Sequence, residues 1–178
     1  MKRHLFIHSR TCAVMGVILA LLFGAFVLTA CGSEEKPDPS QADINKSVVV
    51  EGWKITLTGV PDEAPVVGTG GVTHAAQNGT FVIIPATVTN QNTDILLFPD
   101  GLLVLKDSQG REFPPTGSTP QFAYLQAQPD KDMLMDSPVP AGGTRNTVLI
   151  FDVPKDARGL VMVVKPTGDT FKLGYKTP

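Results

Sequence analysis

The chain has 178 residues, 15 Lys+Arg against 17 Asp+Glu, a net charge of −2 and only two cysteines. Lys2, Arg3 and Arg10 precede Cys31 and every acidic residue follows it, so residues 31–178 hold 12 basic against 17 acidic side chains, a charge of −5. Such a surface has no basic footprint for nucleic acid or for anionic lipid headgroups.

In chain order, a basic start leads into the apolar run 13–28, 16 residues long, and then into the small residues Thr29 and Ala30 before Cys31. That order is the n-region, h-region and cleavage site of a secretory signal. The run is short of the ~20 residues a spanning helix needs, although with Thr29 and Ala30 it approaches an uncleaved anchor. Leu28-Thr29-Ala30-Cys31 resembles a bacterial lipobox, followed at once by polar Gly-Ser-Glu-Glu-Lys-Pro. The resemblance implies that residues 1–30 are a lipoprotein signal peptide and that Cys31 is acylated. The expected location is the extracytoplasmic face of the cell membrane, with lipid as the anchor. Stable anchoring takes two or more chains.

Cys12 and Cys31 are then spent, so no disulfide can staple the body, and a hydrophobic core must hold it. His4 and His8 also precede Cys31, leaving His74 as the only imidazole. A Cys/His zinc site is excluded, and nucleophile–histidine catalysis would have to run through His74 alone. Residues 31–47 are the lipidated cysteine and a linker rich in Glu, Lys, Pro, Asp, Ser and Gln. As a flexible coil they reach roughly 20–25 Å.

Residues 48–178 read as an all-β domain. Runs 48–51 and 53–60 are one strand or two joined at Gly52, with Trp53, Ile55 and Leu57 alternating against Lys54, Thr56 and Thr58. Pro61, Pro65, Gly68, Gly70 and Gly71 mark residues 61–78 as a loop. Residues 80–89 form a strand with Val82, Ile84, Ala86 and Val88 on one face, and Phe81, Ile83, Thr87 and Thr89 on the other. Pro85 has no N–H for a ladder, so it places this strand at an edge or a bulge. Short strands are expected at 95–98 and 102–106, then a turn at Asp107-Ser108-Gln109-Gly110 with Gly110 at positive φ. Residues 114–143 hold six prolines and are expected to be an irregular excursion that packs partly onto the sheets. Strands follow at 144–153, 160–165 and 170–176. About eight strands and no amphipathic helix argue for a two-sheet antiparallel sandwich.

Three stretches resemble, in order, motifs of the DUF4352 family. They are Gly79-Thr80-Phe81-Val82-Ile83-Ile84 with Thr87-Val88-Thr89-Asn90; Leu105-Lys106-Asp107-Ser108-Gln109-Gly110-Arg111-Glu112-Phe113; and Ala141-Gly142-Gly143 with Val148-Leu149-Ile150-Phe151-Asp152-Val153-Pro154. The similarity runs from about residue 53 to 175, and departs at Pro85 and in the 114–143 excursion. It implies a bacterial lipid-anchored or secreted domain with an MPT63-like, immunoglobulin-like β-sandwich. It implies no activity.

No phosphate loop, dinucleotide fingerprint, HExxH helix or G-x-S-x-G elbow is present. Asp130, Asp132 and Asp136 lack the central Gly and closing Glu of a calcium loop. Met133, Met135 and His74 are soft and borderline ligands for copper, but Met-Leu-Met more often fills a core. No catalytic residue, metal or cofactor is therefore expected, and the chain is read as a non-enzyme. The expected function is display of a sandwich that binds a protein or envelope partner. Phe122, Tyr124, Met133 and Met135 are candidate contacts, rimmed by Asp130, Lys131 and Asp132. The alternative is a carrier of a small apolar ligand between the sandwich and the 114–143 flap.

Overall fold

The structure is a computed structural model that describes residues 36–38 and 41–175. Its elements in chain order are β1 (Ser47–Val50), β2 (Trp53–Leu57), β3 (Asp62–Ala64), β4 (Val66–Thr69), β5 (Val72–Ala75), β6 (Gly79–Asn90), β7 (Leu103–Lys106), β8 (Glu112–Phe113), α1 (Ser118–Leu125), β9 (Thr144–Pro154), β10 (Val161–Val164) and β11 (Thr170–Lys172). The 48–51 and 53–60 runs are two strands of one hairpin, with Val50 opposite Trp53. Glu51 (φ 49°) and Gly52 (φ 75°) both turn left-handed, the type I′ geometry that matches the twist of flanking strands.

The all-β, two-sheet antiparallel sandwich is the observed architecture. In the larger sheet β6 pairs with β9 along one whole edge, from Gly79↔Pro154 to Thr89↔Thr144. Its other edge is shared: β3 takes Phe81–Ile83 and β2 takes Ala86–Asn90, with β1 beyond β2. The smaller sheet has the order β11-β10-β7-β8. Between the sheets lie Trp53, Ile55, Val82, Ile84, Leu149 and Phe151 on one side, and Leu103, Leu105, Met162 and Phe171 on the other.

Several sequence expectations change. Pro85 stands in an interior strand, not at an edge or bulge. Its carbonyl accepts from Thr58 N, and the N and C=O of one strand residue face the same way. The missing N–H therefore points to the gap where β3 gives way to β2. Gly59 passes there close to the ring, where a Cβ would sit 3.3 Å from Pro85 Cγ. Residues 61–78 are not a loop but carry β3 and the β4–β5 hairpin. Residues 95–98 are not a strand; Leu96 makes a single bridge to Val139. The 114–143 excursion contains a helix, α1, whose Pro120 lies in the first turn, where no N–H has an intrahelical acceptor to lose.

These additions build a second layer. The outward side chains Phe81, Ile83, Val148 and Ile150 are buried under Val67 of β4 and Ala123 of α1. Gly68 (φ 101°) lets hairpin and helix meet; a Cβ there would lie 3.1 Å from Ala123 Cβ and collide with the Val72 carbonyl. The central sheet is thus covered on both faces.

Buried polar groups fasten the loops. Gln121 of α1 donates Nε2 to Thr147 Oγ1 (3.1 Å) and Val148 O (2.8 Å), and its Oε1 accepts from Leu134 N (3.0 Å) and Met135 N (2.9 Å). Asp107 closes the β7–β8 turn, accepting from Gln109 N, Arg111 N and Arg111 Nε at 3.0, 2.9 and 2.6 Å. Burial pushes the Asp107 pKa up, but the hydrogen bonds and positive charge of Arg111, with Gln109 N, outweigh it and hold the carboxyl below its ordinary value.

Replacing Gln121 by Leu strands the Leu134 and Met135 N–H groups, each costing about 1–3 kcal/mol. Denaturant melts should show a loss of about 2 kcal/mol or more, whereas Phe122→Ala next to it should stay within about 0.5 kcal/mol. For Asp107 the folded-state pKa lies below the unfolded one. Its stabilisation is thus complete above the ordinary carboxylate value of about 3.9 and is lost as pH falls through the folded pKa. Asp107→Asn should lower the melting temperature at pH 7, and the gap to the parent should close as the melts are taken below pH ~4; a gap that does not depend on pH would refute the assignment.

Candidate functional site

One end of the sandwich presents an ordered apolar knob. The strand β6 stops at Asn90, whose fully buried carboxamide donates to Asp94 O (2.8 Å) and Val139 O (2.9 Å) and accepts from Asn92 N (3.0 Å). Leu96 then exchanges both backbone hydrogen bonds with Val139, at 3.1 and 2.8 Å. Phe98 turns inward and meets Trp53 edge to face, ring centroids 5.3 Å apart. Between these anchors Ile95, Leu96 and Leu97 stand 64 %, 38 % and 55 % exposed. Three consecutive large aliphatic side chains held in water form a patch, unlike a lone exposed leucine.

The four residues singled out from the sequence do not form one surface. Phe122 is 50 % exposed, but Met135 is only 6 % exposed and belongs to the core between the sheets. Met135 is thereby corrected from a contact residue to a packing residue. Tyr124 packs half-buried against the outer layer, and burial raises its pKa; Met133 is half-buried. The residues read as a rim pin the segment to β9: Asp132 accepts from Asn146 N, and Lys131 Nζ donates to Asn146 Oδ1, both at 3.0 Å. The 114–143 segment is a wall of the fold, with Gln121, Ala123, Leu134 and Val139 buried in it. Cys31 lies outside the described residues.

The knob is not legible in the sequence, where Ile95-Leu96-Leu97-Phe98 reads as a strand. A signal was available. Five polar residues precede the run, a Pro-Asp-Gly turn follows it, and four apolar residues without alternation have no polar face to give to water.

Other groups are structural. His74 stacks on Phe81 at 6.2 Å between centroids. The Tyr175 hydroxyl donates to Glu63 Oε1 at 3.0 Å, and burial with the Glu63 charge holds the phenol protonated. Arg111 bridges Asp107 and Asp156. Among the described residues no three His, Cys, Asp or Glu side chains are grouped to hold a metal. An open cleft of about 510 Å³ lies between residues 41–43, 159–161 and 172–175, with Asp43 and Lys172 in its walls beside Leu160 and Leu173.

Two solved structures share the fold. One is a conserved hypothetical protein from Bacillus anthracis, 15 % identical, covering 78 % of this chain and 99 % of its own, with a TM-score of 0.52. The other is an uncharacterized β-sandwich protein from Clostridium difficile, 16 % identical, covering 77 % and 93 %, with a TM-score of 0.50. At these identities the likeness is one of fold alone. No curated protein matches the sequence. The model of the family described as "Domain of unknown function (DUF4352)" matches residues 42–172, well over half the chain, and the protein belongs to that family.

Proposed function

We propose that this protein is an extracytoplasmic lipoprotein that displays its sandwich to a protein or envelope partner and carries out no reaction of its own. The observation that carries the reading is Leu28-Thr29-Ala30-Cys31 at the end of the apolar run 13–28. Its residue types are those a lipoprotein signal needs, in order, at the right end of an h-region. Cys31 receives the lipid, the residues between it and Asp38 are the spacer, since Asp38 and residues 41–47 are already bonded to the fold, and the body is built to stand without a disulfide. Its core is closed by side chains of both sheets and of the outer layer. A body that relies on packing alone leaves its single late cysteine free for the anchor.

The polar groups of the domain support a binding role over a chemical one. Asp107, Asp132 and Asp152 are each engaged by backbone N–H groups, of Arg111, Asn146 of β9 and Gln77. Residues 95–97, by contrast, make no hydrogen bond among the described residues beyond the Leu96–Val139 pair.

Metabolic labelling with a clickable fatty acid tests the anchor. The parent protein should be labelled and should partition into detergent, and Cys31→Ala should lose essentially all label and retain residues 1–30. Label persisting on Cys31→Ala, or residues 1–30 still joined to the labelled parent, would refute the proposal.

A further inference from the structure

We infer that the knob Ile95-Leu96-Leu97 is a docking surface for a second protein, one that offers an apolar pocket bordered by cationic side chains and lies on the side facing away from the membrane. The inference rests on the anchored-display reading above and adds the surface and the chemistry of the partner.

Three observations carry it. The first is preorganisation. Asn90, the Leu96–Val139 pair and Phe98 fix the loop from both sides, so little conformational freedom remains to be lost when a partner covers it. That loss is one of the main costs of association.

The second is position. Residues 38 and 41–43 lie beside 174–172, with Asp38 N donating to Gly174 O and Asp43 N to Lys172 O. The chain then enters β1 and reaches the Glu51-Gly52 turn, where Gln91 N bonds to Gly52 O. The knob is therefore at the opposite end of the strands from the point where the tether joins. From residue 38 to the knob is on the order of 25 Å of strand rise. From Cys31 to residue 38 seven peptide units reach about 25 Å at most. Pressing the knob into the bilayer that holds Cys31 would require the tether at full stretch.

The third is charge. Asp94 precedes the run, Asp100 follows Phe98 by two positions, and Asn92 Nδ2 ties the loop to Glu51 O. All three carboxylate residues are exposed and, among the described residues, none is in an ion pair. Of the cations at this end, Lys54 lies opposite Thr89 in register, Arg145 gives its Nη2 to Pro138 O, and Lys165, whose N bonds to Leu102 O, is paired with Glu112. Two copies meeting knob to knob would bring these acidic rims together, and an anionic bilayer would repel them. A basic-rimmed pocket complements them.

The test is site-specific photo-crosslinking in the protein's own cells with full-length lipoprotein carrying Leu97→p-benzoylphenylalanine. Gln109→p-benzoylphenylalanine, exposed in the β7–β8 turn at the tether end, serves as the control, and fatty-acid labelling is read on the same samples. The expected result is a light-dependent adduct from position 97, absent from 109, to a protein other than this one. Its crosslinked peptide should hold apolar residues flanked by Lys or Arg, and Asp94→Lys with Asp100→Lys should reduce the adduct at least threefold. An adduct at twice the protein's own mass would assign the knob to a second copy, and an adduct to phospholipid would assign it to the bilayer. Either of these, a contact peptide without basic residues, or no adduct at all overturns the inference. If fatty-acid label is retained in such a case, the anchored-display reading survives; loss of the label from the parent removes that reading separately.

Discussion

The β6–β9 ladder is the constraint on which the rest of the molecule depends. Eleven consecutive residue pairs, Gly79↔Pro154 to Thr89↔Thr144, place two long strands side by side. Both carry apolar residues on both faces over part of their length. Val82 and Ile84 with Leu149 and Phe151 face the small sheet, while Phe81 and Ile83 with Val148 and Ile150 face outward. A one-residue slip would exchange these sets and put every side chain on the wrong face. A sheet with two apolar faces must be covered twice. The small sheet covers one face and the β4–β5 hairpin with α1 covers the other.

Coverage on the outer face brings a second requirement, since loops drawn over a core bury backbone groups that need partners. Gln121 meets it with a single side chain, joining α1, the β9 edge and the Leu134–Met135 backbone. Asn90 does the same at the end of β6. Both are amides with donor and acceptor capacity, so each can tie carbonyls and N–H groups that no strand reaches. The excursion is fixed to β9 in a further place through Thr116 N to Ile150 O and Asp132 N to Asn146 O. These bonds also occupy the β9 edge that β6 leaves free, closing a template for unwanted strand pairing.

How far the sequence speaks for itself follows from this arrangement. Period-two patterns at Trp53-Ile55-Leu57 and through β6 identify strands and their inner faces, because burial between two sheets imposes alternation. The outer layer leaves only a faint mark. Phe81 and Ile83 on the second face of β6 ask for a cover, but β4 and β5 are four-residue strands among glycines, and α1 has a proline as its third residue, which its first turn tolerates. Pro85 points to an edge by local reasoning. Only tertiary structure supplies the answer, a gap between two short neighbours on one side of an interior strand. Of the candidate contacts, Phe122 is exposed, whereas Met135 is buried, because Gln121 binds the backbone N–H groups at 134–135 and the Met135 side chain sits in the main core. For the knob, four apolar residues in a row suggest a strand, and only the Asn90 carboxamide and the Val139 backbone show why Ile95–Leu97 stay outside.

The knob is also where the folding logic and the functional logic diverge. Val49, Val66, Val72 and Phe122 are exposed singly, whereas Ile95–Leu97 are exposed in succession, and the chain finds cover again only at Phe98. Ile95 and Leu97 cannot follow, because Asn90 holds the Asp94 carbonyl while Leu96 and Val139 hold one another. With Ile95, Leu96 and Leu97 64 %, 38 % and 55 % exposed, the loop forgoes roughly half of the about 1.5–3 kcal/mol that full burial of each would return. An apolar surface ordered by the fold and left in water is the feature on which the proposed docking role rests. That surface lies at the end of the strands opposite the Asp43–Lys172 contact. There the exposed Ile95, Leu96 and Leu97 stand between Asp94 and Asp100 in the chain, both of them exposed.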